Sequence, residues 1–179
     1  MIDQIKTCTL CELISTCQQP IVGEGSTDAT IMVVGEAPGK NEDLQGRPFI
    51  GRSGQLLNEL LAEVGLEREQ VYITNIVKCR PPSNRNPEVE EVDACFPYLR
   101  TQIELIRPKV IIALGTFAAQ VLTGKQESIT RLRGRAFELH DFVVVPAFHP
   151  AYILRNRVKK PLLKQDIEMA HKLSTAVGD

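Results

Sequence analysis

A chain of 179 residues with 43% hydrophobic and 24% charged residues fits one domain with a real core. Its formal net charge of -1 gives no bulk attraction to nucleic acid, so any such binding needs a local basic face. No run approaches the roughly 18 uninterrupted apolar residues of a membrane span, and the opening MIDQIKTCTL lacks a basic-then-apolar signal pattern, so the expectation is a cytoplasmic protein with no membrane partner.

No internal repeat, low-complexity tract or linker divides the chain. In chain order, residues 31–34 (IMVV) read as a buried strand. Ser53 then reads as the cap of a helix whose Leu56, Leu57, Leu60, Leu61 and Val64 form one apolar stripe, ended by Gly65. Residues 71–74 give a second strand, stopping at Asn75. Asn86 with Pro87 opens a helix carrying Val92, Cys95, Phe96, Leu99, Ile103 and Ile106 inward, and Pro108 prevents its continuation. Val110 to Leu114 is a third strand running into Gly115 and a helix capped by Thr116. A hairpin-like segment near 137–147 supplies the last strand before His149, and a final helix begins near Pro161. Regular alternation of strand and helix predicts an α/β fold with three layers, α/β/α, around a mostly parallel sheet of about four strands.

Three of these apolar runs stop at a polar or glycine-rich signature: IMVV at GEAPG, VYIT at Asn75, and VVVPAF at His149-Pro150. Open α/β sheets build their sites at the carboxyl ends of strands, so these distant residues are expected in one crevice. The loop GEAPGKNED at 35–43 places two glycines and a proline on a sharp turn, from which Glu36 and Glu42 can project. It is not a phosphate loop, because GxGxxG is absent and no GK[ST] follows. Phe49, in RPFIGRSG, is either core or a stacking platform for a planar base. The Asn75 amide offers one donor and one acceptor to a planar ligand edge. Gly35 and Ala37 join Phe49 and Asn75 as candidate substrate-binding residues.

Five cysteines in a reducing compartment point to metal binding or catalysis before disulfides. Cys8 and Cys11 are separated by two residues, Cys79 and Cys95 by fifteen. The wide second spacing fits a zinc ribbon poorly and an iron-sulfur cluster better. Cys17 is left over, assigned to packing, with replacement of Cys11 as a ligand the alternative.

Taken together, GEAPGKNED, GRPFIGRSGQLL, VYITNIVKCRPPSNRNP, IRPKVIIALG, SITRLRG and FHPAYILRN resemble the family 4 uracil-DNA glycosylases of bacteria and archaea, from about Cys8 to the final helix. The resemblance implies a compact glycosylase fold, a 4Fe-4S cluster held by Cys8, Cys11, Cys79 and Cys95, and removal of uracil from DNA. It makes Glu36, Glu42 and His149 the candidate catalytic residues, with Glu42 guarding or shaping the base pocket, Phe49 the stacking aromatic, Asn75 the uracil reader and His149 the leaving-group stabiliser. One position departs from the family's usual pattern: Ala151 follows His149-Pro150 where serine is common, so a hydroxyl contact to a DNA phosphate is missing there.

Loop cations Arg47, Arg52, Lys78, Arg80 and Arg85, with Arg155, Arg157, Lys159 and Lys160, are candidates to hold phosphates, and Leu154 to wedge the duplex. The expected partners are uracil-containing DNA, single- or double-stranded, and free uracil as product, with a monomer acting at the nucleoid. Two rivals remain: a related glycosylase with another damaged-base preference, or a noncatalytic iron-sulfur module that docks DNA or a protein. No basic His-containing insertion follows Cys79 to support covalent trapping of product.

Overall fold

The structure is a computed structural model and describes residues 1–176. The regular elements in chain order are α1 (Ile2–Lys6), β1 (Glu24–Gly25), β2 (Ile31–Gly35), α2 (Lys40–Gln45), α3 (Arg52–Glu63), β3 (Tyr72–Asn75), α4 (Val89–Ile106), β4 (Val110–Leu114), α5 (Gly115–Thr123), α6 (Ile129–Leu132), β5 (Phe137–Leu139), β6 (Phe142–Ala147), α7 (Pro150–Arg155) and α8 (Lys160–Ala176), joined by short 3-10 turns. Among the described residues the sheet has six strands in the order β1-β3-β2-β4-β6-β5. The four central strands are parallel, as the alternation predicts. The short β1 and β5 add antiparallel edges that the expected four-strand sheet did not include.

Side chains that alternate along the central strands fill two separate cores. Ile31 and Val33 face Leu57 of α3, Ile153 of α7 and Ile167 of α8. Met32 and Val34 face Leu99 of α4 and Ala118 of α5. Every residue of β2 and β4 is buried, because helices cover both faces of the sheet. The α3 stripe of Leu56, Leu57, Leu60 and Leu61 is buried as its spacing requires, each leucine contributing about 2 kcal/mol.

Helix starts differ from expectation for tertiary reasons. Helix α3 begins at Arg52 with Gly51 in the cap position and Ser53 already helical. The amides of Ile50 and Gly51 donate instead to Glu42 Oε1, eight and nine residues upstream. Helix α4 starts at Val89, where Glu88 and Glu91 form a reciprocal capping box in place of the expected Asn86 start. Helix α5 starts directly at Gly115, so Thr116 lies within its first turn. No helix among the described residues is long and apolar enough to cross a membrane.

Candidate active site

The carboxyl ends of β2, β3 and β6 open into one cavity of about 460 Å3, lined by Glu36, Glu42, Phe49, Asn75, His149 and Arg155 among others. Sequence-distant strand ends meet here because parallel strands all point their loops the same way. Gly35 and Asn75 are register partners across β2 and β3. A Cβ on Gly35 would sit 2.5 Å from both Asn75 Oδ1 and Phe49 Cζ, so only glycine lets these two side chains meet. Ala37 lines the same cavity.

Asn75 is 2% exposed, and its Oδ1 is buried without a hydrogen-bond partner among the described residues. An unmet buried carbonyl costs about 1–3 kcal/mol, a cost that a donor entering the cavity would relieve. The residue's own backbone is held tightly. Its carbonyl accepts from Lys78 Nζ at 2.7 Å, and Lys78 Nζ also donates to Thr74 Oγ1 and Gln102 Oε1.

His149 occupies the cap position of α7, with Pro150 in the first turn. Its Nδ1 accepts from the Ala151 amide at 3.1 Å, which leaves Nε2 to carry the proton of a neutral ring. Burial pushes the imidazole pKa down to about 4, with Arg155 helping and Glu42 opposing. The ring is therefore a neutral donor near pH 7. Phe49 lies beside it, with ring centroids 5.6 Å apart.

The two glutamates differ. Glu36 lines this cavity and a neighbouring one of about 500 Å3, which also shares His149 and Tyr152. Burial raises its pKa, making it readier to accept a proton. Glu42 borders the cavity but is only 8% exposed, and its Oε1 is committed to the Ile50 and Gly51 amides. Its carboxylate lines the crevice, as the sequence had it, and through Oε1 also holds the backbone of the Phe49 loop.

A third cavity lies under α4. Cys8, Cys11, Cys79 and Cys95 all line it, among apolar neighbours including Ile5, Leu13 and Val77. The Lys78 amide donates to Cys95 Sγ at 3.2 Å. Among the described residues no three Cys, His, Asp or Glu side chains gather closely enough for a single metal ion, so the four thiols surround this cavity without converging on one point. Cys17 is not part of that lining and touches Cys79.

The superfamily described as uracil DNA glycosylase matches residues 22–170 of this chain. The type-4 uracil-DNA glycosylase of Thermotoga maritima is 49% identical over 172 residues, covering 94% of this chain and 90% of that protein. Those of Sulfurisphaera tokodaii and Saccharolobus solfataricus are 42% and 44% identical, covering 96% and 92% of this chain and 82% and 80% of their own lengths. The chain belongs to the type-4 uracil-DNA glycosylase family.

Placed on this glycosylase scaffold, several expected DNA contacts need correction. Lys78 is 2% exposed with its ammonium spent on three internal acceptors, and burial lowers its pKa to about 7. It cannot reach a phosphate and instead braces the Asn75 backbone. Leu154 is half-buried against the α3 and α8 core, not a free wedge, whereas Val158 four residues on is 89% exposed. Arg85 lines the cavity, but its guanidinium makes a bidentate pair with the buried Glu91. Arg80 donates to Asn84 Oδ1, Arg47 pairs with Glu24, and Lys160 pairs with Glu59 and Glu63. Arg52, Arg155 and Arg157 are exposed, and Arg155 borders the pocket. Lys159 Nζ donates to the Tyr152 hydroxyl beside that pocket.

Sequence reasoning missed three supporting residues. Arg68 holds the Phe49 loop through the Pro48 and Phe49 carbonyls. Arg133, within SITRLRG, makes a bidentate pair with the fully buried Asp166 of α8 and lies over the Phe148 ring next to His149. Tyr152 borders the pocket and the neighbouring cavity that shares Glu36 and His149, and it stacks on Phe148. The motif around Arg133 was visible, but its partner Asp166 carries no local signal.

Proposed function

We propose that the cavity receives a single uracil flipped out of DNA and that the chain hydrolyses its N-glycosidic bond, leaving an abasic site. The chain is a uracil-DNA glycosylase of DNA repair, and the observation that carries the residue assignments is the orphaned Asn75 Oδ1 beside Phe49 and a neutral His149. Uracil presents a ring N3–H next to a carbonyl oxygen. Asn75 Oδ1 accepts the first and its amide NH2 donates to the second, whereas cytosine offers the reversed pattern and leaves buried groups mispaired. Such mismatch discriminates by about 10⁴ or more. Flipping costs about a few kcal/mol, part of which stacking on Phe49 returns.

As the bond from C1′ to the ring N1 breaks, its electron pair passes to the base and appears largely on the ring carbonyl oxygens. The His149 Nε2–H aimed at that charge is worth about 3 kcal/mol, and a neutral donor does this without a compensating proton transfer. The sugar carbon becomes cationic and is attacked by water from the opposite face. Glu36 takes the water proton, since its buried carboxylate has a raised pKa, whereas Glu42 has Oε1 committed to the loop amides. Exposed Arg52, Arg155 and Arg157 engage the DNA phosphates, with Arg155 nearest the extruded nucleotide. The protein acts as a monomer.

The thiols of Cys8, Cys11, Cys79 and Cys95 fit a 4Fe-4S cluster. They are four soft donors around one apolar cavity, with a backbone N–H on Cys95 Sγ and no convergence on a single ion. Burial pushes the Cys11, Cys79 and Cys95 thiols up, so their thiolates need a cationic centre to form. Cys8 and Cys11 of the amino-terminal segment, Cys79 after β3 and Cys95 of α4 would hold the cluster, and binding there would cross-link these three parts of the chain and brace the segment leading from Asn75 into Lys78.

A single-stranded oligonucleotide with one uracil, incubated with the protein and then treated with alkali, tests the reading. Strand scission at the uracil and release of free uracil are expected. Retention of the oligonucleotide without scission would show a binding module instead.

A further inference from the structure

We infer that Arg68 is a positioning residue for base recognition: with Glu24 it forms a clamp that holds Phe49 in the conformation that walls the pocket. The inference rests on the uracil-pocket reading above and extends it to a residue outside every motif.

The Arg68 side chain is only 12% exposed, and each of its five N–H groups has a partner. Nε and Nη2 donate to Glu24 Oε1 at 2.8 and 2.6 Å. Nη2 also donates to the Pro48 carbonyl at 2.5 Å, while Nη1 donates to the Phe49 carbonyl at 3.1 Å and to Asn58 Oδ1 at 2.9 Å. No donor remains for a phosphate, so this cation is built for internal work.

What it grips is strained. Phe49 has φ of 48°, a left-handed backbone that costs a non-glycine residue about 1–2 kcal/mol. Two carboxylates and one guanidinium hold that turn from both sides. Glu42 takes the amides that follow Phe49, Arg68 takes the carbonyls on either side of the Pro48–Phe49 step, and Glu24 anchors Arg68. Helix α3 passes so close that a Cβ on Gly54 would lie 1.8 Å from the Phe49 carbonyl oxygen. Removing Arg68 leaves two half-buried carbonyls without this donor and lets the turn relax to an ordinary φ, which swings the ring off the wall shared with Gly35 and His149. A lysine could not replace it, because one ammonium has three donors and no fork.

The test is a double-mutant cycle of Arg68→Met and Phe49→Ala, read by inhibition with free uracil and by excision from a single-stranded substrate, with thermal melting alongside. Arg68→Met is expected to weaken inhibition by uracil about tenfold, the size of a partial loss of base stacking. If Arg68 acts through Phe49, the double variant binds uracil no more weakly than Phe49→Ala alone. Multiplying effects, or unchanged inhibition in Arg68→Met, would overturn the clamp. Should Arg68→Met not fold, Glu24→Gln takes its place in the cycle, with a smaller shift in the same direction expected and the same non-additivity required. A wild-type protein that neither excises nor binds uracil would overturn the pocket reading itself, whereas an active wild type with a multiplicative cycle would overturn only the clamp.

Discussion

Gly35→Ala isolates the pocket geometry from everything else, because nothing but space forbids a side chain there. Gly35 ends β2 with a backbone conformation that alanine tolerates, since it is absent from the positive-φ positions of the chain. The added methyl carbon would meet Asn75 Oδ1 at 2.5 Å, Phe49 Cζ at 2.5 Å and Phe49 Cε2 at 2.8 Å. Ordinary contact begins near 3.4 Å, so the Asn75 amide and the Phe49 ring must each retreat by roughly 1 Å or share that shift. Displacement of about 1 Å at a reacting site is enough to cost about 10²-fold in kcat/KM. Overpacking two core-facing side chains lowers stability by about 1–3 kcal/mol, leaving a folded protein to assay. Single-turnover excision from a uracil oligonucleotide, with inhibition by free uracil and thermal melting on the same preparation, separates the two effects. A folded Gly35→Ala protein that excises within about threefold of wild type would refute the placement of Asn75 at the edge of the base and Phe49 on its face.

Asn75→Asp should lose uracil preference, since an ionised carboxylate cannot donate to the base carbonyl; undiminished excision would remove Asn75 as the reader. Stability should fall as pH drops from about 6.5 to about 4. Over that window the unfolded chain protonates His149 while the folded chain, with its pKa lowered to about 4, does not. His149→Phe should flatten this part of a denaturant-monitored pH profile. The acid limb of the excision rate should lie above the usual carboxylate range and disappear in Glu36→Gln, because burial raises the Glu36 pKa and protonation removes the base. Cys79→Ser should lose iron, brown absorbance and thermal stability together; unaltered iron content and melting would take Cys79 out of the ligand set.

The residues that stand in the pocket were legible in the sequence, and those that hold them there were not. Glu36, Asn75 and His149 each stand at or just past the carboxyl end of a largely apolar strand, and parallel strands bring such positions together wherever the chain alternates strand with helix. Their supports follow no such rule. Lys78, next to a cysteine and a string of polar residues, has the sequence context of a solvated cation; only the packing of α4, which brings Gln102 to its ammonium, turns it inward. Arg68 sits in a charged turn, Glu-Arg-Glu, with no periodicity to mark it, and meets the Phe49 carbonyl nineteen residues upstream in sequence. The helix starts were misplaced for a related reason: a Ser or Asn cap is a local signal, while the amides before α3 are met by Glu42, a side chain from another helix. Ala151 carries the same lesson in reverse. Its side chain was the visible departure from the family pattern, yet its backbone amide fixes the His149 tautomer, and any residue but proline supplies that amide. Substitution at 151 should therefore alter DNA binding while leaving the His149 donor intact, so Ala151→Ser is expected to lower KM with kcat unchanged.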